Sequence, residues 1–480
     1  MINRWAPRDS NIFNAAKERV TSLYLPTGSI PMFPTDLSAG PMSLRAGYDS
    51  CAISLGLELN DDGSINESTL EITPSLLNID YRLTYDDVDE MLELGIGYIE
   101  EWELGALLDK AKLRRKYRIR CGSTEGFVPN PIPKADLKVV QDDDLDDVRI
   151  HIDVEVTHNA GFNSSSVVLD SNIDVSQDFS MPVSSAFMLV TEMMVMAGEA
   201  MGKLKGVLLD DNRTDSDKIG LLENTLSLPY RTQPRPDLRR RYQEVNTLES
   251  LKDKGYCHAW YARRFFEPVQ VQEDPQPHSG LGLECYVQWS SPIRRFSDLQ
   301  VHAAVKRFLR RRRVNELILS GKPLPNGLKA SDLGCAVPTF EECLTNDGTT
   351  YKYQAHVNIE EDPIDYRRGF GFVNAARVVQ RKSEEYWMYE LIRRKVEESE
   401  TEMEFAATIL ACIDPSRKQY AIYVNGWGFE HRYLSEKGDL AIGETIALRV
   451  ASVNPRLGLL TFSLSSKYGG KPVKFVAQAA

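Results

Sequence analysis

Long apolar segments are absent from this sequence. No run approaches about eighteen uninterrupted apolar residues, so no transmembrane helix is predicted. The most apolar stretch, residues 187–196, contains Thr191 and Glu192 and predicts a helix in a protein core. The amino-terminal residues, MINRWAPRDSN, contain neither an apolar segment nor a cleavage site for secretion. We therefore expect an intracellular protein, with the cytoplasm and an organelle (mitochondrion or plastid) both left open.

Cysteine and histidine patterns that bind metals are also missing. The chain has seven cysteines and seven histidines. The cysteines form no C-x-x-C pair, and their irregular spacing indicates reduced thiols. The histidines show no H-x-x-x-H or H-E-x-x-H spacing, which argues against a zinc site.

Positive charge is scarce overall but unevenly distributed. The formal net charge is −12, which does not favour binding of nucleic acid by the surface as a whole. Basic residues nevertheless cluster at 110–120, 235–241 and 306–313, whereas acidic residues collect at 142–147 and 397–404. This distribution is consistent with a basic channel inside an acidic shell. The length allows about two to four domains.

The acidic run at residues 142–147 lies between two predicted strands, 137–140 and 148–156. A cluster of carboxylates can bind a hard cation such as Mg²⁺. Nothing in the sequence turns these side chains inward, so a solvated hairpin turn is the favoured interpretation.

The hydrophobic pattern predicts a body of mixed helices and strands. Residues 51–59 and 65–73 alternate as two strands joined by a turn at 60–63. Three prolines and a glycine exclude a helix or a central strand from residues 21–34, so a rigid loop that holds Tyr24 is predicted there. Loops are also predicted at 228–236 and 323–346, and helices at 11–20, 98–116, 181–204, 302–319 and 365–395.

The pattern changes near residue 404, where short alternating segments separated by turn signals begin. Five short antiparallel strands in succession suggest a small closed barrel. They are predicted at 405–412, 419–424, 429–434, 446–453 and 459–464.

One segment organises the rest of the chain. It contains HSGLGLE at 278–284, then Tyr286, then SSPIRRFSDLQVH at 290–302. Pro292 predicts an extended entry, followed by a helix that opens near Asp298. Arginines at the start of a helix can bind a phosphate together with the free N–H groups of the first turn. An adjacent arginine pair taken alone, however, is more often solvated surface.

The complete segment closely resembles the signature of the ribonuclease II (RNB-type) exoribonucleases. TSLYLPTGSIPMFP at 21–34 and LPYRTQPRP at 228–236 resemble two further segments of that family. The strands at 403–424, with GFEHR at 428–432, resemble the OB-fold RNA-binding module, of the ribosomal-protein S-one type, that ends many members. The resemblance extends over nearly the whole chain.

The resemblance implies hydrolysis of single-stranded RNA from its 3′ end. The reaction of this family uses two Mg²⁺ ions, which need hard oxygen ligands, mostly carboxylates. The family supplies these from an aspartate cluster upstream of the loop that carries Tyr24, and this sequence has no matching cluster. We therefore expect Mg²⁺ as the cofactor of the family, with its ligands outside this chain, and a longer protein of which this chain lacks the amino terminus.

The resemblance also assigns roles to individual residues. Arg294 matches the arginine that contacts the scissile phosphate, where a guanidinium can stabilise charge that develops in the transition state. Tyr24 matches a tyrosine that stacks at the 3′ end of the RNA, and Tyr85 resembles a second cleft tyrosine that helps to set product length. Glu192 lies near a glutamate of the substrate channel, and Phe127 near a clamp aromatic.

Four other positions are also compared with the family pattern. Arg295 is a further RNA-binding candidate, although holding the local helix and loop together is the favoured role for Arg295, Asp298 and His302. Gln380 stands where the family often has a glutamate, a departure expected to weaken one contact to the RNA end.

The barrel contributes its own candidates for RNA binding. Bases stack on exposed aromatic side chains regardless of nucleotide sequence. About half of such aromatics are expected to pack the barrel instead. The candidates are Tyr423, Trp427, Phe429 and His431.

We therefore predict an α+β fold. Residues 1–398 are expected to form an RNB catalytic domain without its first strands, 402–468 an OB-fold barrel and 469–480 a tail. The first hypothesis for function is a 3′→5′ exoribonuclease that releases 5′-nucleotides from single-stranded RNA. The alternative is a catalytically inactive RNA-binding relative. No membrane partner is expected, and the chain as given is expected to bind RNA and to cut it slowly or not at all.

Overall fold

The computed structural model describes residues 2–6, 10–94, 99–123, 132–142, 147–155, 184–209, 226–235, 242–319, 343–344, 350–351, 370–399, 402–435 and 439–465. The α-helices in these ranges are α1 (Ile2–Trp5), α2 (Asn11–Arg19), α3 (Thr35–Ser38), α4 (Tyr85–Leu94), α5 (Ile99–Arg120), α6 (Ser185–Leu209), α7 (Tyr242–Ser250), α8 (Tyr256–Ala262), α9 (Phe296–Leu319) and α10 (Phe370–Glu398).

The strands form antiparallel pairs and one larger sheet. The strands of the body are β1 (Leu23–Leu25), β2 (Gly28–Ile30), β3 (Asp49–Leu59), β4 (Ile65–Asn78), β5 (Lys134–Asp142), β6 (Asp147–Glu155), β7 (Tyr230–Thr232), β8 (Gln270–Gln272), β9 (Cys343–Leu344) and β10 (Thr350–Tyr351). The strands of the larger sheet are β11 (Glu404–Asp414), β12 (Gln419–Val424), β13 (Phe429–Leu434), β14 (Thr445–Asn454) and β15 (Leu459–Leu464).

The core of the body lies between the β3–β4 hairpin and two helices. The hairpin pairs Asp49 with Asn78 at one end and Leu59 with Ile65 at the other, with a register shift between Gly56 and Glu58. Its inward apolar side chains pack on α6 and α9, because the alternation along each strand places them on one face. The buried side chains of this core include Ile65, Leu70, Ile72, Met201, Leu204, Val305 and Phe308.

The segment after Leu283 lies directly along α6. A side chain at Gly198 would overlap the ring of Tyr286, so this glycine permits the close approach. The indole Nε1 of Trp289 donates to the carbonyl oxygen of Ala197 at 2.9 Å. These contacts fix the segment that leads to the arginine pair against a buried helix.

A separate apolar cluster holds the amino-terminal helices on the start of α9. It contains Ala16 of α2, Phe33, and Phe296 and Leu299 of α9. The rings of Phe13 and Phe296 meet edge to face with centroids 5.2 Å apart. This packing places the β1–β2 hairpin, which follows α2, next to the arginine pair.

The carboxy-terminal sheet is a curled, OB-like barrel of five antiparallel strands in the order β13-β12-β11-β14-β15. The two end strands approach each other through the rings of His431 and Phe462, whose centroids are 5.4 Å apart. α10 packs on this barrel with Met388 and Ile392. On another side α8 covers it, and the Cys257 thiol lies 3.3 Å from the carbonyl oxygen of Ile409.

The predicted α+β fold and its terminal barrel are confirmed. The loop predicted at 21–34 contains the paired strands β1 and β2. The loop predicted at 228–236 contains β7, which pairs with β8. Both predictions therefore missed short strands. These strands are only three residues long, which is too short for an alternation signal. Of the loop predicted at 323–346, the described residues 343–344 form a strand. No helix in the described parts of the chain is long and apolar enough to span a bilayer.

Candidate nucleic-acid interface

The entrance to α9 is held by one buried carboxylate. Asp298 is completely buried, and its Oδ2 accepts hydrogen bonds from the main chain of Ser291 at 2.9 Å and from Arg295 Nη2 at 2.7 Å. Arg295 Nε also donates to the same oxygen at 2.9 Å. The two-point bond fixes the guanidinium plane of Arg295. Arg295 therefore stabilises the local loop, as the favoured interpretation of the sequence expected, and is committed to Asp298.

Arg294 is held in a different way. Its carbonyl oxygen accepts from Ser22 N at 3.1 Å and from Thr21 Oγ1 at 3.1 Å. Its half-buried guanidinium has no ion pair or hydrogen bond with any residue that the structure describes. Because the main chain of Arg294 is fixed and its charged end is unpaired, the side chain is available for an anionic group.

Tyr24 lies on the hairpin that begins at this same contact. Thr21 bridges Arg295, and two residues later the chain enters β1, where Tyr24 is opposite Ser29. The Tyr24 side chain is 47% exposed. Gln380 of α10 donates from Nε2 to the carbonyl oxygen of Tyr24 at 3.1 Å. The structure thus brings Tyr24, Arg294 and Gln380, which are far apart in sequence, into one region.

Positive charge is concentrated behind the arginine pair. Arg231 lies on β7, where its main-chain N–H donates to Tyr286 O at 2.8 Å. Burial lowers the pKa of Arg231; Asp298 opposes this shift, whereas Arg295 and Arg377 lower the pKa further. Arg231 therefore interacts with both the buried Asp298 carboxylate and other arginines, and the excess of positive charge favours the approach of an anion.

Two histidines of the signature segment are neutral parts of the fold. Burial lowers the pKa of His302 to about 3, and Lys306 acts in the same direction. The neutral ring is 2.9 Å from the carbonyl oxygen of Trp289 through Nε2, and it packs on the Trp289 indole at 5.3 Å. Burial also lowers the pKa of His278, to about 4. At neutral pH neither side chain carries a charge toward a ligand, which agrees with the structural role expected for His302.

Glu192 requires a correction. It was expected near a substrate channel, but it is buried and its two carboxylate oxygens are bonded to Arg118, with Nε to Oε2 at 2.9 Å. Arg118 also donates to the carbonyl oxygen of Leu281 at 3.1 Å. A buried charge needs such a partner, so the pair supports the loop at 278–284 and is not presented to a ligand.

Gly282, the next residue of the 278–284 loop, is packed closely against the main chain of Arg118. Gly282 has φ of +68°, and a side chain there would overlap the carbonyl oxygen of Arg118. Glycine is favoured because only it combines this backbone conformation with so close an approach. The signal for this contact is the glycine spacing of HSGLGLE, but the partner helix α5 is not evident from sequence.

Tyr85 is placed at the first residue of α4, and it is 43% exposed. Its ring meets Phe187 of α6 edge to face, with centroids 6.0 Å apart. One side of the ring is therefore supported, while much of it is accessible. Phe127, the third aromatic expected in this region, lies outside the described residues.

The barrel candidates divide into one buried and three half-buried side chains. Tyr423 is only 3% exposed and its ring packs on Tyr256 of α8, with centroids 5.2 Å apart, so its expected role in base stacking is incompatible with this placement. Burial also raises the pKa of Tyr423. Trp427, Phe429 and His431 remain partly exposed. Burial lowers the pKa of His431, which leaves a neutral ring suited to stacking.

The described residues do not bring together the carboxylate ligands that Mg²⁺ requires. Within the described ranges no three His, Cys, Asp or Glu side chains come together as a metal site. The ends of the acidic hairpin are described, with Asp142 opposite Asp147, whereas residues 143–146 are outside the described ranges. Asp147 is exposed and bonded to Arg394, as expected for a solvated turn. The described residues therefore do not fit a two-metal site.

Sequence reasoning missed two features of this region. It treated Gln380 as a weakened contact, although the amide bonds the main chain of Tyr24. It also gave no role to Arg231, whose charge interacts with those of Arg295 and Arg377. No local signal could have found these contacts, since the residues involved lie on separate elements.

Comparison with known proteins identifies a family and a relative that this chain resembles. Residues 2–311 match the family model of the RNB domain. A protein described as an uncharacterized ribonuclease of Synechocystis is 30% identical over 80% of this chain and 42% of its own length. The chain thus spans less than half of that relative.

Two solved structures share the fold at low identity. RNase R of Mycoplasma genitalium, in complex with ribose-methylated single-stranded RNA, aligns with a TM-score of 0.62 and 15% identity over 97% of this chain and 65% of the other. Yeast Ssd1, described as a pseudonuclease, aligns with a TM-score of 0.53 and 12% identity over 94% of this chain and 47% of the other. The unpaired arginine at the start of α9, the tyrosine hairpin beside it and the match over residues 2–311 lead to one conclusion: the chain belongs to the RNB domain family.

Proposed function

We propose that this chain is part of a 3′→5′ exoribonuclease that hydrolyses single-stranded RNA to 5′-nucleotides in RNA processing or decay. The observation that carries the proposal is the contrast at the arginine pair. Arg295 is bonded to Asp298, while the neighbouring guanidinium of Arg294 has no partner among the described residues. An arginine held in this way is suited to a phosphate group.

Within this proposal, each side chain that is accessible to RNA has a separate role. Arg294 binds the scissile phosphate and stabilises negative charge that develops on its oxygens. Tyr24 stacks on the base at the 3′ end, and Tyr85 limits how far the end enters. Both tyrosines are accessible, at 47% and 43% exposure. Arg231, whose charge interacts with those of Arg295 and Arg377, adds positive charge to this region and supports the proposal.

The half-buried aromatics of the barrel extend this path. Trp427, Phe429 and His431 are proposed to stack on upstream bases, which binds RNA without sequence preference. Mg²⁺ is the cofactor that the family resemblance implies. No step is assigned to it here, because the described residues do not form its site.

The test uses the native protein from its source cells and an unstructured RNA labelled at its 5′ end. We expect Mg²⁺-dependent shortening from the 3′ end. Arg294→Ala should lower kcat by about 10²–10³-fold. Arg417→Ala is the matched control, since this 80% exposed arginine at the β11–β12 turn also removes one positive charge.

The alternative function predicts a different result in the same assay. Native protein that binds the labelled RNA but leaves it at full length in Mg²⁺ would identify an RNA-binding relative without catalysis. The 480-residue chain by itself is expected to bind RNA and to cut it slowly or not at all. Rapid Mg²⁺-dependent degradation by this chain, abolished by Arg294→Ala, would contradict that expectation.

A further inference from the structure

One hydrogen bond joins two elements that are 356 residues apart in sequence. The side-chain Nε2 of Gln380, in the middle of α10, donates to the carbonyl oxygen of Tyr24 at 3.1 Å. Tyr24 is the central residue of the three-residue strand β1. The contact therefore links the helix that supports the barrel to the hairpin that carries the exposed tyrosine.

The hairpin has few other attachments to the body. In the described sheet β1 pairs only with β2, so its outer edge leaves main-chain groups that need partners. Ser22 is tied to the carbonyl of Arg294 at the base of the hairpin, and Pro26 accepts from Val139 N at 2.8 Å near its tip. Gln380 supplies the attachment between these two points.

The position of the Tyr24 ring depends on these main-chain contacts. The ring is 47% exposed and makes no aromatic contact with any residue in the described part of the chain. An aromatic side chain that has no neighbouring ring to hold it takes its position from the strand on which it lies. A small displacement of β1 would consequently move the ring away from a terminal base.

α10 provides a rigid reference for this position. At one end Val373 packs with Ile293 and Phe296 beside the arginine pair, and at the other Met388 packs under the barrel. Gln380 lies seven residues after Val373, which is close to two helical turns and places both on one face. The helix therefore relates the phosphate-binding loop, the tyrosine hairpin and the barrel to one another.

We propose that Gln380 is a positioning residue that holds the main chain of Tyr24 against α10 and so presents the Tyr24 ring to the 3′-terminal base of single-stranded RNA. The inference rests on the proposed function. The contact requires a hydrogen-bond donor at this position, which the primary amide of Gln380 provides, whereas an ionised carboxylate only accepts hydrogen bonds. Gln380→Glu would set a negative charge against the carbonyl oxygen of Tyr24.

The experiment measures binding, so it does not depend on hydrolysis. Fluorescence anisotropy of a labelled single-stranded RNA with a free 3′ hydroxyl is recorded in EDTA with the full-length protein. Loss of one hydrogen bond should weaken binding by about 2- to 10-fold in Gln380→Leu and at least as much in Gln380→Glu. Asn374→Asp, the same amide-to-carboxylate change at an exposed position of α10, should leave affinity unchanged.

A double-mutant cycle distinguishes positioning from direct contact. If Gln380 acts through Tyr24, Gln380→Leu should have no further effect in a Tyr24→Ala background. Equal losses in both backgrounds would show that Gln380 touches RNA itself and would overturn the inference. The thermal midpoint of Gln380→Leu should match that of the wild type, since a purely structural role would lower it.

The cycle also separates this inference from the proposed function. A loss of affinity in Tyr24→Ala with none in Gln380→Leu overturns only the role of Gln380. Unchanged affinity in Tyr24→Ala overturns the role proposed for Tyr24 itself, and the positioning role with it.

Discussion

The body and the barrel differ in how far their candidate tyrosine side chains are exposed to solvent. Tyr24 and Tyr85 of the body are 47% and 43% exposed, whereas Tyr423 of the barrel is 3% exposed. β1 belongs to a two-stranded hairpin, which has no second layer over its outer side. β12 is an interior strand of the curled five-stranded sheet, where one of its faces packs the barrel core and α8 covers the other. A tyrosine side chain is therefore exposed only where no neighbouring layer covers the element that carries it.

Tyr423→Ala should have the largest effect on stability. Removal of a buried aromatic ring commonly costs about 3–5 kcal/mol, so we expect a loss of this size in the free energy of unfolding measured with urea. Tyr423→Phe keeps the ring against Tyr256 and should cost much less. If the folded fraction of Tyr423→Ala instead lost RNA affinity at unchanged stability, the contrast between the two regions would fail.

Tyr24→Ala should give the reverse pattern. Stacking on one aromatic side chain contributes about 1–3 kcal/mol per base, so RNA affinity should fall by roughly 5- to 150-fold. The free energy of unfolding should change by no more than about 0.5 kcal/mol, because the side chain is exposed. Anisotropy and urea titration on the same preparations measure both quantities. A large loss of stability with intact binding would contradict the prediction.

Lowering the pH should produce the smallest change in the free energy of unfolding, and we expect this change to come from His302 in the body. The pKa of His302 is about 3 in the folded chain against 6.5 for the free side chain, because the ring is buried. The stability that depends on the neutral ring is complete above pH 6.5. It is lost as the pH falls from 6.5 toward 3, since the unfolded chain then binds the proton first.

This prediction is checked with His302→Gln. Between pH 7.5 and 5.5 the wild type should lose about 1 kcal/mol more than the variant in the free energy of unfolding. His278, whose pKa is about 4, acts in the same direction and remains in both proteins. Equal losses in the two proteins would show that His302 does not titrate as its burial requires.

The elements with a strong periodic pattern could be predicted closely. Strands predicted at 419–424, 429–434 and 459–464 coincide with β12, β13 and β15. Burial alternates along β13 and β15 because one face of each strand is packed and the other is not. β12 is buried along nearly its whole length, since α8 covers its second face. Helix starts were less accurate: α9 begins at Phe296 and not near Asp298, because the buried Asp298 carboxylate organises the residues before it.

The candidate site could be predicted only in part. Arg294 and Arg295 are adjacent residues of the same type, and only the resemblance to the family signature separated their expected roles. Their difference follows from the orientation of Asp298, which faces Arg295. Glu192 likewise reads as a polar residue in an apolar helix, and its partner Arg118 lies on another helix.

By itself the sequence determined the family, the order of the elements and the barrel, because these depend on motifs and on local periodicity. Only the tertiary structure decided which candidates are presented to a ligand. Tyr24 is exposed, Tyr423 is covered by α8, and Gln380 meets the Tyr24 main chain across 356 residues. The physical reason is that exposure and hydrogen bonding depend on neighbours that packing supplies, and those neighbours come from distant parts of the chain.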